Sequence, residues 1–421
     1  MKHIYFVGIG GAGLCPLAQL AKNAGYLVTG SDAEASRNTH ILETLNINVQ
    51  IGQSGKEIAT THKKQPIDWM VVSSSIKNDH PEIAFAKEHG IKISKRDELI
   101  NTVLRDKNLK LIAVSGTHGK TTTTAMIAWL FLQLGEPASY VVGTNLSFGP
   151  SGHYQSNSDY LVLEADEFDR HMLAYQPFCS ILPSVEYDHP DTYKTVDDYK
   201  IAFCDFVANS QRVFSWEDVG KYLSLTSKNL HLYKYDDSLI KKLSLPGITT
   251  RQNAFLAVQL FQYLFPKTDL EKIISAINSF PGTERRMEKL GNNLYSDYAH
   301  HPTEIAATVQ TAKEINDKIV VFYQPHQNIR QHEIQNKYGN CFRGVEKVYW
   351  LPTYLSREDP KLKTLSAHEL INQLSNPQIA ESAEMNSDLV QKVNEHRKNG
   401  ELVIIMGAGS IDPWARKNIL S

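Results

Sequence analysis

The segment Gly116-Thr117-His118-Gly119-Lys120-Thr121 constrains this chain more than any other, because it joins an apolar run to an apolar helical stretch. Residues 111–115 (LIAVS) read as a buried strand, and the residues after Gly119 read as a helix. A glycine turn in that setting lets backbone N–H groups and the helix N-terminus surround a phosphate. Lys120 would neutralise its charge and Thr121 would reach Mg²⁺. The spacing departs from the common phosphate loop, since Val114 stands where the first glycine would be. An ordinary strand–helix turn could carry the same letters. The run Thr122, Thr123 and Thr124 after Gly-Lys-Thr favours nucleotide binding.

Around this loop short apolar runs alternate with helical stretches, which is the pattern of an α/β protein. At 421 residues the chain needs more than one core. The pattern restarts after residues 105–110 (RDKNLK), expected as a linker, and again near Pro281. We therefore expect three α/β units with their chemistry at strand ends, where open sheets collect ligands. Their spans are 1–107, 108–280 and 281–421, the outer two Rossmann-like and the central one of the P-loop ATPase type. Strands are expected at residues 26–30, 69–76, 160–167 and 178–186.

The formal net charge of −2 offers no field to recruit nucleic acid or an anionic membrane. The four cysteines form no CxxC pair, which suits a reducing compartment. No signal-peptide core and no long apolar span stand out. The expectation is a cytoplasmic protein, monomeric or a weak homodimer, without nucleic-acid or membrane partners.

Other motifs are weaker alone. Gly8, Gly10 and Gly13, with Gly11 among them, fit a dinucleotide fingerprint, and Asp32 ends the next strand. A nicotinamide cofactor, another diphosphate and a structural turn all remain compatible with it. A second, ATP-type loop downstream favours another diphosphate such as UDP. Glu164, Asp166, Glu167 and Asp169 place four carboxylates within six residues after a strand. Such a turn is either solvated or holds a hard cation, and the neighbouring loop favours Mg²⁺. His189, in the turn of residues 186–191 (EYDHPD), reads alone as a hydrogen-bonded turn residue. The pair His300-His301 lacks the i, i+4 spacing of a helical zinc site, so substrate or nucleotide contact is the better reading. His326 and the Gly407–Gly409 turn have the same status. Arg285-Arg286 is an exposed basic pair or an anion clamp.

Taken together, GIGGAG, VVSSSIK, GTHGKTTT, LEADEFD, EYDHPDTY, GTERR, SDYAHHPTE, QPH and MGAGS resemble the Mur ligase family over nearly the whole chain. The resemblance is strongest to its alanine-adding branch. It implies an ATP- and Mg²⁺-dependent ligase joining L-alanine to the lactyl carboxylate of UDP-N-acetylmuramate through an acyl phosphate, in peptidoglycan synthesis. Gly8, Gly10, Gly11, Gly13, Asp32, Ser73, Ser74 and Ser75 would then hold the UDP-sugar. Residues 116–122, including His118 and Thr122, would bind ATP, with Asn253, Arg285 and Asp297. Thr121, Glu164 and His189 would hold the metal. Lys120, Glu164, His189, His300 and Arg330 would carry the chemistry, and His301 and His326 would meet the amino acid.

The sequence departs from the family at Thr249-Thr250, where a His-Asn pair is usual, and at Gln327, where the alanine-adding branch has arginine. Cys204 stands where some members have a carbamylated lysine. The rival readings are a recycling ligase that attaches a murein tripeptide, a nicotinamide oxidoreductase and a non-catalytic UDP-sugar-binding protein.

Overall fold

The computed structural model describes every residue except Asp191, Arg357 and Ser421. Asp191, the last acid of the turn that holds His189, thus lies outside the described residues.

Every side chain of His3–Val7 is buried. A strand covered on both faces must be apolar or have its polar groups hydrogen-bonded, as the His3 ring is to the Pro66 carbonyl and the Thr29 hydroxyl, and parallel sheets supply that setting. His3–Val7 is the middle of a five-stranded parallel sheet, ordered Asn48–Ile51, Leu27–Asp32, His3–Val7, Trp69–Val72, Lys92–Ser94. The chain reverses its direction of travel across the sheet between His3–Val7 and Trp69–Val72. The crevice outside their carboxyl ends is the place where such folds bind ligands. The strand expected over residues 69–76 stops at Val72. There the Ser73 N–H donates to the Val7 carbonyl and the Ile76 N–H turns back to the Ser73 carbonyl. Residues 105–110, expected as a linker, are the end of helix Arg96–Asp106 and the start of strand Lys110–Val114. Asn108, at φ 52°, makes the reversal between them.

A second sheet has seven strands, ordered Leu230–Tyr233, Val213–Trp216, Cys179–Leu182, Lys110–Val114, Tyr160–Glu164, Ser139–Val141, Gly152–His153. Only the last pair is antiparallel. Tyr160–Glu164 is shorter than the expected strand, leaving Asp166 and Glu167 in the turn beyond it.

The third sheet has six strands, ordered Glu288–Gly291, Leu294–Asp297, Leu402–Met406, Ile319–Tyr323, Lys347–Trp350, Ala380–Ser382, antiparallel only at the first pair. In Ile319–Tyr323 the pleat sends Ile319, Val321 and Tyr323 into one core and Val320 and Phe322 into the other. Each large apolar side chain so buried contributes about 1.5–3 kcal/mol. Helix Pro302–Lys313 opens with proline at its first turn, and Glu304 closes a capping box with His301.

Three mostly parallel sheets with intervening helices are the α/β architecture the sequence leads one to expect. By internal packing the chain forms two compact units. One is Met1–Leu243 with Asn253–Phe280, and the other is Ser244–Gln252 with Pro281–Ser421. All four cysteines are free thiols. Among the described residues no helix is long and apolar enough to cross a membrane.

Candidate active site

The loop after strand Lys110–Val114 is held by the turn after its neighbour Cys179–Leu182. Thr117 N–H donates to the Ser184 carbonyl, and the Thr117 hydroxyl donates to the Glu186 carbonyl at 2.7 Å. His118 N–H donates to the Ser184 hydroxyl at 2.9 Å. Two glycines are needed here. Gly116 has φ 138°, and a Cβ on it would lie 2.5 Å from the Ser184 carbonyl oxygen. Gly119 caps helix Lys120–Gln133 at φ 85°, and a Cβ there would lie 2.9 Å from the Asn253 side chain. The result is a bare backbone cradle at a helix N-terminus, with Asn253 against it.

Lys120 folds back over this cradle. Its Nζ donates to the Gly116 carbonyl at 2.7 Å and lies 2.7 Å from the carboxylate of Glu167, which is fully buried. Burial pulls the Lys120 pKa down, but Glu167, with Asp166 and Glu164 behind it, outweighs this and leaves it raised. The lysine is a fixed cation. Glu164 ends the adjacent strand, accepting from the Thr121 hydroxyl and from Gly143 N–H, both at 2.7 Å. His189, at φ 57°, brings Nε2 to 3.5 Å from Glu167. Glu164 and His189 therefore reach the loop through different neighbours, Thr121 for one and Glu167 for the other. Two carboxylates and a hydroxyl around a phosphate-type cradle are oxygen donors that fit Mg²⁺ beside a nucleotide, with the softer imidazole of His189 next to them. Thr122 lies in the first turn of the same helix.

At the first sheet, Gly8 and Ser73 close the crevice: a Cβ on Gly8 would lie 3.2 Å from the Ser73 Cβ. Asp32 accepts from Gly10 N–H at 2.8 Å, fixing the loop that contains Gly11 and Gly13. Ser73 and Ser75 share a hydrogen bond of 3.0 Å, and Ser74 bonds His171 at 2.9 Å. Arg96 is a residue that sequence spacing does not reveal. Its guanidinium donates to Asp166 at 3.0 Å, and its Nη1 lies 2.9 Å from where a Gly13 Cβ would be. Arg96 thus links the first glycine loop to the acidic turn. For Asp166, burial raises the pKa, but Arg96 and Lys120 outweigh it and leave the carboxyl below its ordinary range. Glu167 was missed as Lys120's partner because nothing in EADE says which carboxylate folds inward.

In the second compact unit, Asp297 is buried and accepts from Met287 N–H, Ala299 N–H and the Thr308 hydroxyl at 2.8, 2.8 and 3.0 Å. Burial nonetheless raises its pKa, against the pull of Arg286. Arg285 donates to the Gly407 carbonyl at 2.5 Å and lies 4.5 Å above the Tyr298 ring. His300 brings Nδ1 to 3.0 Å from the Tyr298 carbonyl. A carbonyl only accepts, so Nδ1 carries a proton, and in the neutral ring Nε2 is the acceptor nitrogen; Nδ1 also lies 3.3 Å from the Glu304 carboxylate. His301 is buried as the helix cap, its Nδ1 accepting from Thr303 N–H at 3.4 Å. The His300 and His326 rings are 5.7 Å apart, and His326 stacks on Tyr354 at 5.7 Å. Arg330 is buried on helix Asn328–Ile334, whose N-terminal neighbour Gln327 has φ 61°. Thr249 and Thr250 lie in helix Ile248–Leu264, and Cys204 is partly buried, its thiol pKa raised by burial.

Residues 3–108 match the family described as "Mur ligase family, catalytic domain", residues 114–235 the "Mur ligase middle domain", and residues 285–409 the "Mur ligase, glutamate ligase domain". A protein of Jannaschia sp. (strain CCS1) named UDP-N-acetylmuramate–L-alanine ligase is 30% identical over 458 residues, covering 99% of this chain and 94% of the relative. The chain belongs to the Mur ligase family. A protein of the same name from Clostridium perfringens (strain 13 / Type A) is 29% identical, covering 97% of this chain and 96% of its own length. A solved UDP-N-acetylmuramate–alanine ligase from Thermotoga maritima shares the fold with TM-score 0.80 at 24% identity, covering 100% of this chain and 99% of that one. A murein peptide ligase from Psychrobacter arcticus 273-4 shares it with TM-score 0.69 at 22% identity, covering 100% and 98%.

Proposed function

We propose that this Mur ligase joins L-alanine to the lactyl carboxylate of UDP-N-acetylmuramate, converting ATP to ADP and phosphate, in the cytoplasm as part of peptidoglycan synthesis. The observation that carries the reading is Lys120 held between the Gly116 carbonyl and buried Glu167 over a bare backbone cradle. The names of the near-full-length relatives support the substrate assignment. Residues 1–107 bind the UDP-sugar, 108–280 bind ATP and 281–421 bind the amino acid.

Gly8, Gly10, Gly11 and Gly13, with Asp32 and Ser73–Ser75, take the UDP-sugar at the sheet's reversal point. Residues 116–122 present N–H groups to the ATP phosphates, and Lys120 neutralises their charge. Mg²⁺, which Thr121, Glu164 and His189 would hold, supplies further charge neutralisation during phosphoryl transfer. Asn253, Arg285 and Asp297 serve the nucleotide side. The γ-phosphoryl group passes to a lactyl carboxylate oxygen, giving an acyl phosphate and ADP. The amine then attacks the acyl carbon, and phosphate leaves with that oxygen. His300 takes the amine proton on Nε2, while His301, His326 and Arg330 shape the acceptor side. Closing the site to water protects the acyl phosphate.

The test is phosphate release with each component omitted in turn. We expect release only when ATP, Mg²⁺, UDP-N-acetylmuramate and L-alanine are all present. Release with the murein tripeptide but with no single amino acid moves the assignment to a recycling ligase. No release with any acceptor leaves a UDP-sugar-binding protein.

A further inference from the structure

Beneath the third sheet runs a polar chain to which none of the roles above assigns a purpose. Tyr323, Gln331 and Tyr338 are all fully buried, both tyrosine rings packing against Trp350 and Tyr323 also against Phe342. Gln331 Nε2 donates to the His326 carbonyl at 3.0 Å. The Tyr338 hydroxyl lies 2.6 Å from Gln331 Oε1 and 2.8 Å from the Tyr323 hydroxyl. The Tyr323 hydroxyl reaches the His300 carbonyl at 3.3 Å. The chain therefore begins on the backbone of one acceptor-side histidine and ends on the backbone of the other.

Counting protons gives it a direction. Gln331 Nε2 faces a carbonyl, so its Oε1 must accept, and Tyr338 must give it the one hydroxyl proton it has. The Tyr338 oxygen then accepts from Tyr323, whose single proton is shared between Tyr338 and the His300 carbonyl. Three buried polar side chains are a costly filling for an apolar core unless each bond is made. Here the bonds fix the separation of two loops whose rings stand 5.7 Å apart.

We propose that Tyr338 and Gln331, with Tyr323, are positioning residues that set the spacing of the His300 and His326 loops and so the fit of the incoming amino acid. This rests on the reading that the acceptor binds beside those histidines. Tyr338→Phe leaves Gln331 Oε1 without its donor and gives Tyr323's proton wholly to the His300 carbonyl, so the His326 side loosens. Tyr323→Phe loosens the His300 side instead.

The experiment pairs NMR of the histidine ring C–H signals with steady-state kinetics, with Tyr349→Phe as a control. Tyr349 loses a hydroxyl bonded to His396 on the opposite face of the same sheet. In Tyr338→Phe we expect the His326 signal to move while that of His396 stays. The KM for L-alanine rises about tenfold, while kcat and the KM values for ATP and UDP-N-acetylmuramate change less than about twofold. Gln331→Met, which removes both Gln331 bonds, gives the same pattern and serves if Tyr338→Phe folds poorly. An unmoved His326 signal, or a parallel rise in all three KM values, overturns the proposal. If the wild-type protein uses no amino acid, the ligase reading falls, and the NMR signals alone decide whether the chain positions the loops.

Discussion

Glu164 and Glu167 lie three residues apart, yet the fold gives them different partners. Glu164 meets Thr121 and Gly143, while Glu167 turns inward to Lys120 and His189. Glu164→Gln keeps the shape and removes the charge. It is expected to lower turnover about 100-fold or more, roughly 3 kcal/mol of transition-state stabilisation, with UDP-sugar binding unchanged. Near-normal turnover of both Glu164→Gln and His189→Ala at low Mg²⁺ would put the metal elsewhere. The sequence makes the acidic turn visible but not this division of labour, because four carboxylates in six residues look alike until burial sorts them. Arg96 was out of reach for a related reason. Its partner Asp166 is 70 positions away, and only the packing of the two sheets' connecting turns brings them together.

At the scale of elements, the glycine turns and the apolar strands before them were legible because period and punctuation are local. Strand ends were less so. Ser73–Ser75 continue the β-type letters of Trp69–Val72, but backbone bonding to Val7 turns them aside. His301 hid its role as a helix cap, since histidine is not among the residues that usually signal one. A second local device was also unread. Arg251, in the first turn of helix Ile248–Leu264, forms a two-pronged ion pair of 2.8 and 2.9 Å with Glu314 at the end of helix Pro302–Lys313. Hydrogen bonding from Arg251 lowers the Glu314 pKa to about 2. A depressed folded-state pKa stabilises the protein above the unfolded value, near 4.3, and that stability is lost as the pH falls toward 2. Allowing for solvent screening of this partly exposed pair, Glu314→Gln should destabilise by about 1 kcal/mol at pH 7. Urea unfolding at pH 7 and at pH 3.5 checks the sign: the gap between wild type and variant should narrow in acid. A constant gap would mean that the charge is not what matters.

For the molecule as a whole, the order of the motifs carried more than any one of them. A glycine fingerprint alone suits a nicotinamide, but a second loop of the ATP type leaves the first to a substrate diphosphate. Thermal shift separates the two. UDP or UDP-N-acetylmuramate should stabilise the protein, by about 2.7 kcal/mol at 100-fold its Kd, and NAD should not. Stabilisation by NAD with none by UDP would contradict the assignment. The three-sheet α/β plan was readable from alternating runs. The packing of the first two sheets into one compact unit was not, because it rests on pairs such as Gln19 with Ser151 and Ser74 with His171 that join distant segments. In the proposed reaction the carboxylate of the sugar acid is phosphorylated before the amine attacks it. UDP-N-acetylmuramate labelled with ¹⁸O in its carboxylate tests this directly, by mass analysis of the phosphate released on turnover with ATP and L-alanine. Each phosphate released should carry one oxygen from the carboxylate; phosphate free of label, formed at the same rate with or without the amino acid, would rule out an acyl phosphate.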